Sequence, residues 1–156
     1  MDWNHEFLLA GRIIFAAVLG GIIGWERENR DRDAGIRTYM AVAVGSCAFS
    51  TISQFVAGDP SRIAAQVVTG MGFIGAGVIL QVRGHVQGLT TAATLWATAA
   101  VGMAAAFGMY MLAGLSAAII YGTLSLQHIP GWTRWVKKKD RNRNADRSSE
   151  RKHENS

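Results

Sequence analysis

Few residues of this chain have the type and spacing to do chemistry. Gly70-Met-Gly72-Phe-Ile-Gly75 fits the GxGxxG dinucleotide fingerprint letter for letter. That fingerprint works where a strand precedes it, a helix opens at it and an acidic residue follows about 20 positions on. Here the motif lies inside an apolar run, and no Asp or Glu occurs between Asp59 and Asp140. Nucleotide binding is therefore not expected. His5, His85, His128 and His153 are scattered without ligand spacing, and the serines have no acid–base partner within reach along the chain. The single Cys47 sits in an apolar run, which argues against a disulfide framework or a cysteine metal site and reads as a small packing residue. A divalent cation such as Mg²⁺ wants several hard oxygen ligands, and Asp2, Glu6 and Asp59 are the only carboxylates near one end of the predicted helices. No enzyme, resident metal or cofactor is expected.

The elements that must position any functional residue are apolar. Hydrophobic residues make up 49% of the chain. They fall into five runs, from Phe7 to Trp25, Thr38 to Ala57, Ile63 to Val82, Leu89 to Phe107 and Met109 to Leu126. A bilayer core roughly 30 Å thick is crossed by about 20 helical residues. A soluble domain of 156 residues has too little volume to bury five such runs. The expected fold is all-α, a polytopic membrane bundle of about five transmembrane helices over residues 1–136. A turn near Gly108 separates the last two, because Leu89 to Leu126 is too long for one span. The N-terminus carries no Lys or Arg and the first run is long for a signal peptide, so cleavage of that run is not expected.

Basic residues set the orientation. Arg27, Arg30, Arg32 and Arg37 follow the first run, Arg83 follows the third, and nine more crowd the tail from Arg134 onward, while Arg62 of the Asp59-Pro60 turn falls at the opposite end. With five spans the first three groups share one side, which puts the N-terminus outside and the tail in the cytoplasm. The net charge of +5 is concentrated in this way rather than spread over a folded face, so nucleic acid is not an expected partner. Trp3, Trp25, Trp132 and Trp135 fall near the expected interfaces, and Trp96 lies inside the fourth helix. Residues 137–156 have only Ala145 as an apolar side chain and read as a disordered basic cytoplasmic tail. That tail could attract anionic lipid or serve only as a topology anchor.

Polar residues at membrane depth are the next candidates, since they are costly there and often functional. Arg12 lies inside the first run, where it could snorkel to the interface or pair with another helix. Ser46, Ser50 and Gln54 share a face of the second helix; Arg62, Gln66 and Thr69 one of the third; Thr90, Thr94 and Thr98 one of the fourth. These three stripes suggest one shared interior, either a lined pathway or a hydrogen-bonded helix interface. Gly20 with Gly24 in the first helix, and Gly72 with Ala76, Gly70, Gly75 and Gly77 in the third, are expected close-packing faces. Glu26, Arg27, Glu28 and Arg37 flank the first turn, where Arg37 could pair with Glu26. Asp59 is placed to N-cap the third helix, with Pro60 at its first position.

Four segments now resemble a known family: Gly20-Gly-Ile-Ile-Gly-Trp-Glu-Arg-Glu; Ala34-Gly-Ile-Arg-Thr38; Asp59-Pro-Ser-Arg-Ile-Ala-Ala-Gln-Val-Val-Thr-Gly-Met-Gly-Phe-Ile-Gly-Ala-Gly-Val-Ile-Leu80; and Gly88-Leu-Thr-Thr-Ala-Ala-Thr-Leu-Trp96. In this order they are similar to the MgtC/SapB membrane domain, over about residues 8 to 125. The resemblance implies a multi-pass protein of the bacterial cytoplasmic (inner) membrane, linked to growth at low Mg²⁺ and, in pathogens, to survival inside macrophages. It implies a regulatory role on other membrane complexes, such as the ATP synthase, rather than carriage of Mg²⁺. Its functional candidates here are Glu26, Arg27, Arg37, Thr38, Asp59, Arg62, Gln66, Thr69, Thr90, Thr91, Thr94 and Trp96. Virulence-type members carry a folded cytoplasmic domain after the last span and tend to have Asn where this chain has Thr90. The short basic tail and Thr90 therefore favour the SapB-like branch, a short form without that domain. The alternative function is a small-solute or ion transporter or channel, built on the polar stripes and on a break at Gly70 to Gly77. The expected partners are the lipid bilayer, other membrane complexes and a second copy of the chain.

Overall fold

The computed structural model describes residues 3–56, 59, 61–82 and 85–126. Its helices are α1 (Trp3–Glu28), α2 (Ile36–Phe55), α3 (Ser61–Val78), α4 (Leu89–Ala106) and α5 (Tyr110–Ser125). All five fall on the five apolar runs. Between α3 and α4 lies a short antiparallel hairpin of β1 (Leu80–Val82) and β2 (His85–Gln87), with Leu80 opposite Gln87 and Val82 opposite His85. The fold is otherwise all-α. Pro60, Arg83, Trp132, Trp135 and the basic tail lie outside the described residues. Helices α1 to α4, with α5 as far as Tyr121, belong to one compact unit.

Several helix ends have an identifiable cause. After α1 the chain turns through Asp31, whose φ of 49° is a left-handed conformation that a short polar side chain tolerates. Gly35 supplies no capping side chain to α2, so Glu28 caps it from the preceding helix: its Oε2 accepts the Ile36 amide at 2.9 Å. Asp59 caps α3, accepting from the Ser61 amide at 2.8 Å and the Ser61 hydroxyl at 2.7 Å. Gly88 precedes α4 with φ of 86°, and a Cβ there would collide with the Val78 carbonyl oxygen. Only glycine fits both demands.

The α4–α5 turn is the one expected near Gly108. Gly108 has φ of 73°, its amide donates to Ala105 O, and the Met109 amide donates to Ala104 O. Those two bonds make a Schellman ending. They leave the carbonyl of the fully buried Ala106 without a backbone partner. Two side chains fill the gap. Arg12 donates from an η nitrogen at 2.6 Å and Gln54 from its amide at 3.1 Å. Arg12 is thus committed to another helix, and its charge sits where the α4 dipole is negative.

The contacts fix the directions of the helices. Gly20 and Gly24 of α1 lie against Tyr39, Ala43 and Ile36 of α2, so these two run antiparallel. Tyr39 meets Thr94, and Gln54 meets Ala106, so α2 and α4 run parallel. The centre is built from very small side chains. Ala16, Ala43, Cys47, Ala105 and Ala106 are fully buried, with Ile13 and Phe15 packed on them. Cys47 is a packing residue of this core. Alanine and glycine let the axes of α1, α2 and α4 approach closely, which is how membrane helices gain van der Waals contact. Phe15 also meets Tyr110 of α5 edge to face at 5.5 Å. Among the described residues, α1 and α4 are long and apolar enough to cross a membrane. Helix α2 has the length but carries Ser46, Ser50, Ser53 and Gln54, which lower its hydropathy.

Candidate functional site

The largest concentration of buried polar chemistry lies where the end of α1 meets the starts of α2 and α4. Glu26 and Arg27, consecutive at the end of α1, are each only 5% exposed. An Arg27 η nitrogen donates to the Thr91 hydroxyl at 2.8 Å, tying α1 to the first turn of α4. The Tyr39 hydroxyl, fully buried, shares a hydrogen bond of 2.6 Å with the Thr94 hydroxyl, tying α2 to the same helix one turn on. Glu26 Oε1 stands 2.6 Å from Arg30 Nε, an ionic contact not aligned for N–H donation, and Arg30 stays partly in solvent. Glu26 Oε2 and Arg27 Nε are buried without hydrogen-bond partners. A buried charge is costly unless it is paired and hydrogen-bonded. The junction is therefore a strained polar lock, held together by the surrounding packing.

This corrects one expectation. Glu26 does not pair with Arg37; it pairs with Arg30, four residues on in the turn that follows α1, and Arg37 is exposed. The Arg30 amide bonds the Arg27 carbonyl, so the first turn after the helix keeps Arg30 within reach of Glu26. Tyr39 escaped the sequence reading altogether. Its signal was available: a lone tyrosine directly after the Ala34-Gly-Ile-Arg-Thr38 motif, one position into an apolar run, needs a partner for its hydroxyl.

The polar stripes divide. On α2, Ser46 and Ser50 are buried and Gln54 reaches α4. On α4, Thr91, Thr94 and Thr98 are buried. These two faces do share an interior. Most of their hydroxyls bond backward along their own helix: Ser46 to Val42 O at 2.5 Å, Thr94 to Thr90 O at 2.9 Å and Thr98 to Thr94 O at 2.8 Å. Helix α3 differs. Arg62, Gln66 and Thr69 are exposed, and Thr69 bonds only its own Ala65 carbonyl. Gln66 lines the groove between α2 and α3 while Arg62 and Thr69 look outward, so the three stripes do not enclose one pathway. Thr38 and Thr90 are exposed, and Trp96 is half exposed on the α3–α4 side. Asp59 lies apart from all of these, at the opposite end of α2 from Tyr39, and holds only its cap.

The glycines divide in the same way. A Cβ on Gly24 would fall 2.6 Å from Ile36 Cα, and one on Gly20 would fall 2.7 Å from the Tyr39 carbonyl oxygen. On α3, Gly70, Gly72 and Gly77 have nothing within 4 Å, and Gly75 has ordinary room beside Ala92. The expected close packing of Gly70, Gly72 and Gly77 is absent among the described residues. The face that contacts α4 is instead that of Ala64, Met71 and Gly75. A glycine the sequence reading passed over makes the tightest contact between helices. A Cβ on Gly102 of α4 would drive into the Ala43 carbonyl oxygen of α2.

Comparison with known proteins adds identity to this geometry. The profile of the MgtC family matches residues 13–129. The chain is similar to the Escherichia coli K12 protein named "Putative magnesium transporter YhiD", with 46% identity over 76% of this chain and 56% of that protein. It is 44% identical to "Protein MgtC" of Brucella abortus strain 2308, over 81% of this chain and 54% of the relative. A Haemophilus influenzae protein without a functional name is 36% identical over 88% of this chain and 62% of its own length. The chain thus spans little more than half the length of the curated relatives it matches. No solved structure matches.

Proposed function

The chain belongs to the MgtC family, and from that premise we propose that it is a multi-pass protein of the bacterial cytoplasmic membrane. It acts by contact with other membrane proteins when Mg²⁺ is scarce, and it does not carry Mg²⁺ itself. The observation that carries this reading is the way the bundle uses its polar groups. Arg12, Gln54, Arg27, Tyr39 and Thr94 bond one helix to another, Ser46 and Thr98 bond their own backbones, and Ser50 and Thr51 are buried without a partner among the described residues. Groups used in this way lock helices together and leave no continuous row of ligands for a hydrated ion. Among the described residues no three His, Cys, Asp or Glu side chains gather. Mg²⁺ is normally held through carboxylates and retained waters. Meanwhile α3 keeps Gln66 and Thr69 exposed, and polar groups facing lipid are favoured where a partner helix can meet them. The partners in view are membrane complexes such as the ATP synthase.

Proteoliposomes loaded with a Mg²⁺-sensitive dye test this directly. Uptake is expected to equal that of empty vesicles, with or without an imposed potential. Saturable uptake that Gln66→Leu or Thr94→Val abolishes would replace contact with transport.

A further inference from the structure

We propose that the α1–α2 turn and the α2–α3 groove together bind one phospholipid whose head group carries both a phosphate and an ammonium. Two hollows of opposite character meet at Thr38. The first, about 290 Å³, is polar and is lined by Glu28, Arg32, Asp33, Gly35, Arg37 and Thr38. The second, about 610 Å³, is apolar and opens between α2 and α3; its walls include Val42, Gly45 and Phe49 on one side and Val67, Gly70 and Ile74 on the other. Thr38 lines both, so the hollows adjoin at that residue. A polar chamber beside an apolar slot has the form of one amphiphile.

The charges choose the head group. Glu28 is occupied by the Ile36 amide. Arg32, Asp33 and Arg37 have no ion-pair partner among the described residues. Two guanidiniums suit a phosphodiester, because the planar fork matches phosphate oxygens. The free carboxylate of Asp33 suits an ammonium. A purely anionic head group would leave Asp33 facing like charge, which is a basis for discrimination. Trp25, 60% exposed and one turn before Glu28, places this level of the molecule at an interface, where amphipathic rings settle.

The slot chooses the tail. From Thr38 to Phe49 the helix rises about 17 Å, close to one leaflet of a hydrocarbon core roughly 30 Å thick. Gly45 and Gly70 face it from the two walls, and neither has an atom within 4 Å of where a Cβ would be. The slot is thus open beside both glycines and mostly apolar, with Ser46 and Gln66 as the polar side chains on its walls beyond Thr38. The site stands whether the protein works by contact or by transport.

Native mass spectrometry of the delipidated full chain in detergent, titrated with phosphatidylethanolamine, tests the proposal. One retained lipid per protein is expected, preferred over phosphatidylglycerol. The Arg32→Ala/Arg37→Ala double variant should retain about tenfold less, as expected for lost charge-assisted hydrogen bonds. Gly45→Leu, which fills the slot and leaves the head chamber intact, should lower retention similarly while the melting temperature is unchanged. Asp33→Asn, an exposed and isosteric change, should erase the preference over phosphatidylglycerol. Retention equal in wild type and these variants would overturn the proposal. So would equal binding of the two lipids by wild type, or soluble phosphoethanolamine binding as tightly as the lipid.

Discussion

Helix α1 sets Gly20 and Gly24 against α2, where an added Cβ would meet main-chain atoms of Tyr39 and Ile36 within 2.7 Å. Helix α3, with the denser glycine pattern, sets Gly70, Gly72 and Gly77 toward open space. The same residue type therefore has opposite meanings a few tens of residues apart. On α1 it permits two backbones to touch. On α3 it flattens a face that the bundle does not use, and Gly70 opens a slot beside α2. The difference lies in the neighbour. Helix α2 offers α1 a matching strip of small side chain and bare main chain at Ala43 and Tyr39, whereas α3 meets α4 through Ala64, Met71 and Gly75.

The largest expected effect comes from making one substitution in both settings. Gly24→Ala and Gly102→Ala force a Cβ against main-chain atoms, which no rotamer change relieves; each is expected to cost about 1–3 kcal/mol. Gly72→Ala and Gly70→Ala meet nothing and remove the entropic penalty of glycine in a helix, so each is expected to be neutral or stabilising by about 0.5–1 kcal/mol. Thermal melting of the four single variants in one detergent decides it. A Gly72→Ala variant that melts as low as Gly24→Ala would break the contrast and place α3 in a contact with another molecule.

The helices were legible in the sequence because their apolar runs are long and their breaks are abrupt. Each observed helix begins and ends within about four residues of its run, and Gly108 marks the α4–α5 turn as expected. The junction was half legible. Glu26, Arg27, Thr91 and Thr94 sit in the segments that carry the family resemblance, yet spacing cannot say that Arg27 finds Thr91 while Glu26 finds Arg30. Those choices depend on how α1 and α4 rotate about their axes. That rotation is set by Gly20, Gly24 and Gly102, and by α2 between them. Three polar stripes looked equivalent for the same reason: periodicity gives a face but not what the face meets. Gly88 and the hairpin before it were invisible, because a single positive-φ glycine has no periodic signal.

The second contrast sets buried charge on α1 against exposed charge on α3. Arg27 and Thr91 should be coupled. In a double-mutant cycle of Arg27→Met and Thr91→Val, the interaction energy is expected to be about 1.5–3 kcal/mol, the range for a hydrogen bond to a charged group. Arg62→Met on α3 should change stability by less than about 0.5 kcal/mol, because its side chain is exposed. Additive losses at Arg27 and Thr91 would mean that the 2.8 Å bond contributes nothing to holding α1 on α4.

The smallest effect belongs to the first turn of α3 and depends on pH. Asp59 is fully exposed, and the Ser61 hydroxyl and then the Ser61 amide hold its carboxyl below the ordinary aspartate value by bonding the charged form. A carboxylate whose folded pKa is depressed adds stability above its unfolded pKa, near 3.9, and loses it as pH falls through the lower, folded value. The cap should therefore be intact at neutral pH and should release only in acid. The amide proton shift of Ser61, followed by NMR in micelles, should titrate with a midpoint below that of an unstructured aspartate. In Asp59→Asn, which keeps a capping oxygen but cannot ionise, the shift should stay flat over the same range. A midpoint at or above the ordinary value would mean that the Asp59 carboxylate does not hold the start of α3. That would leave the first turn of α3 held by its backbone bonds alone, with no side chain capping it.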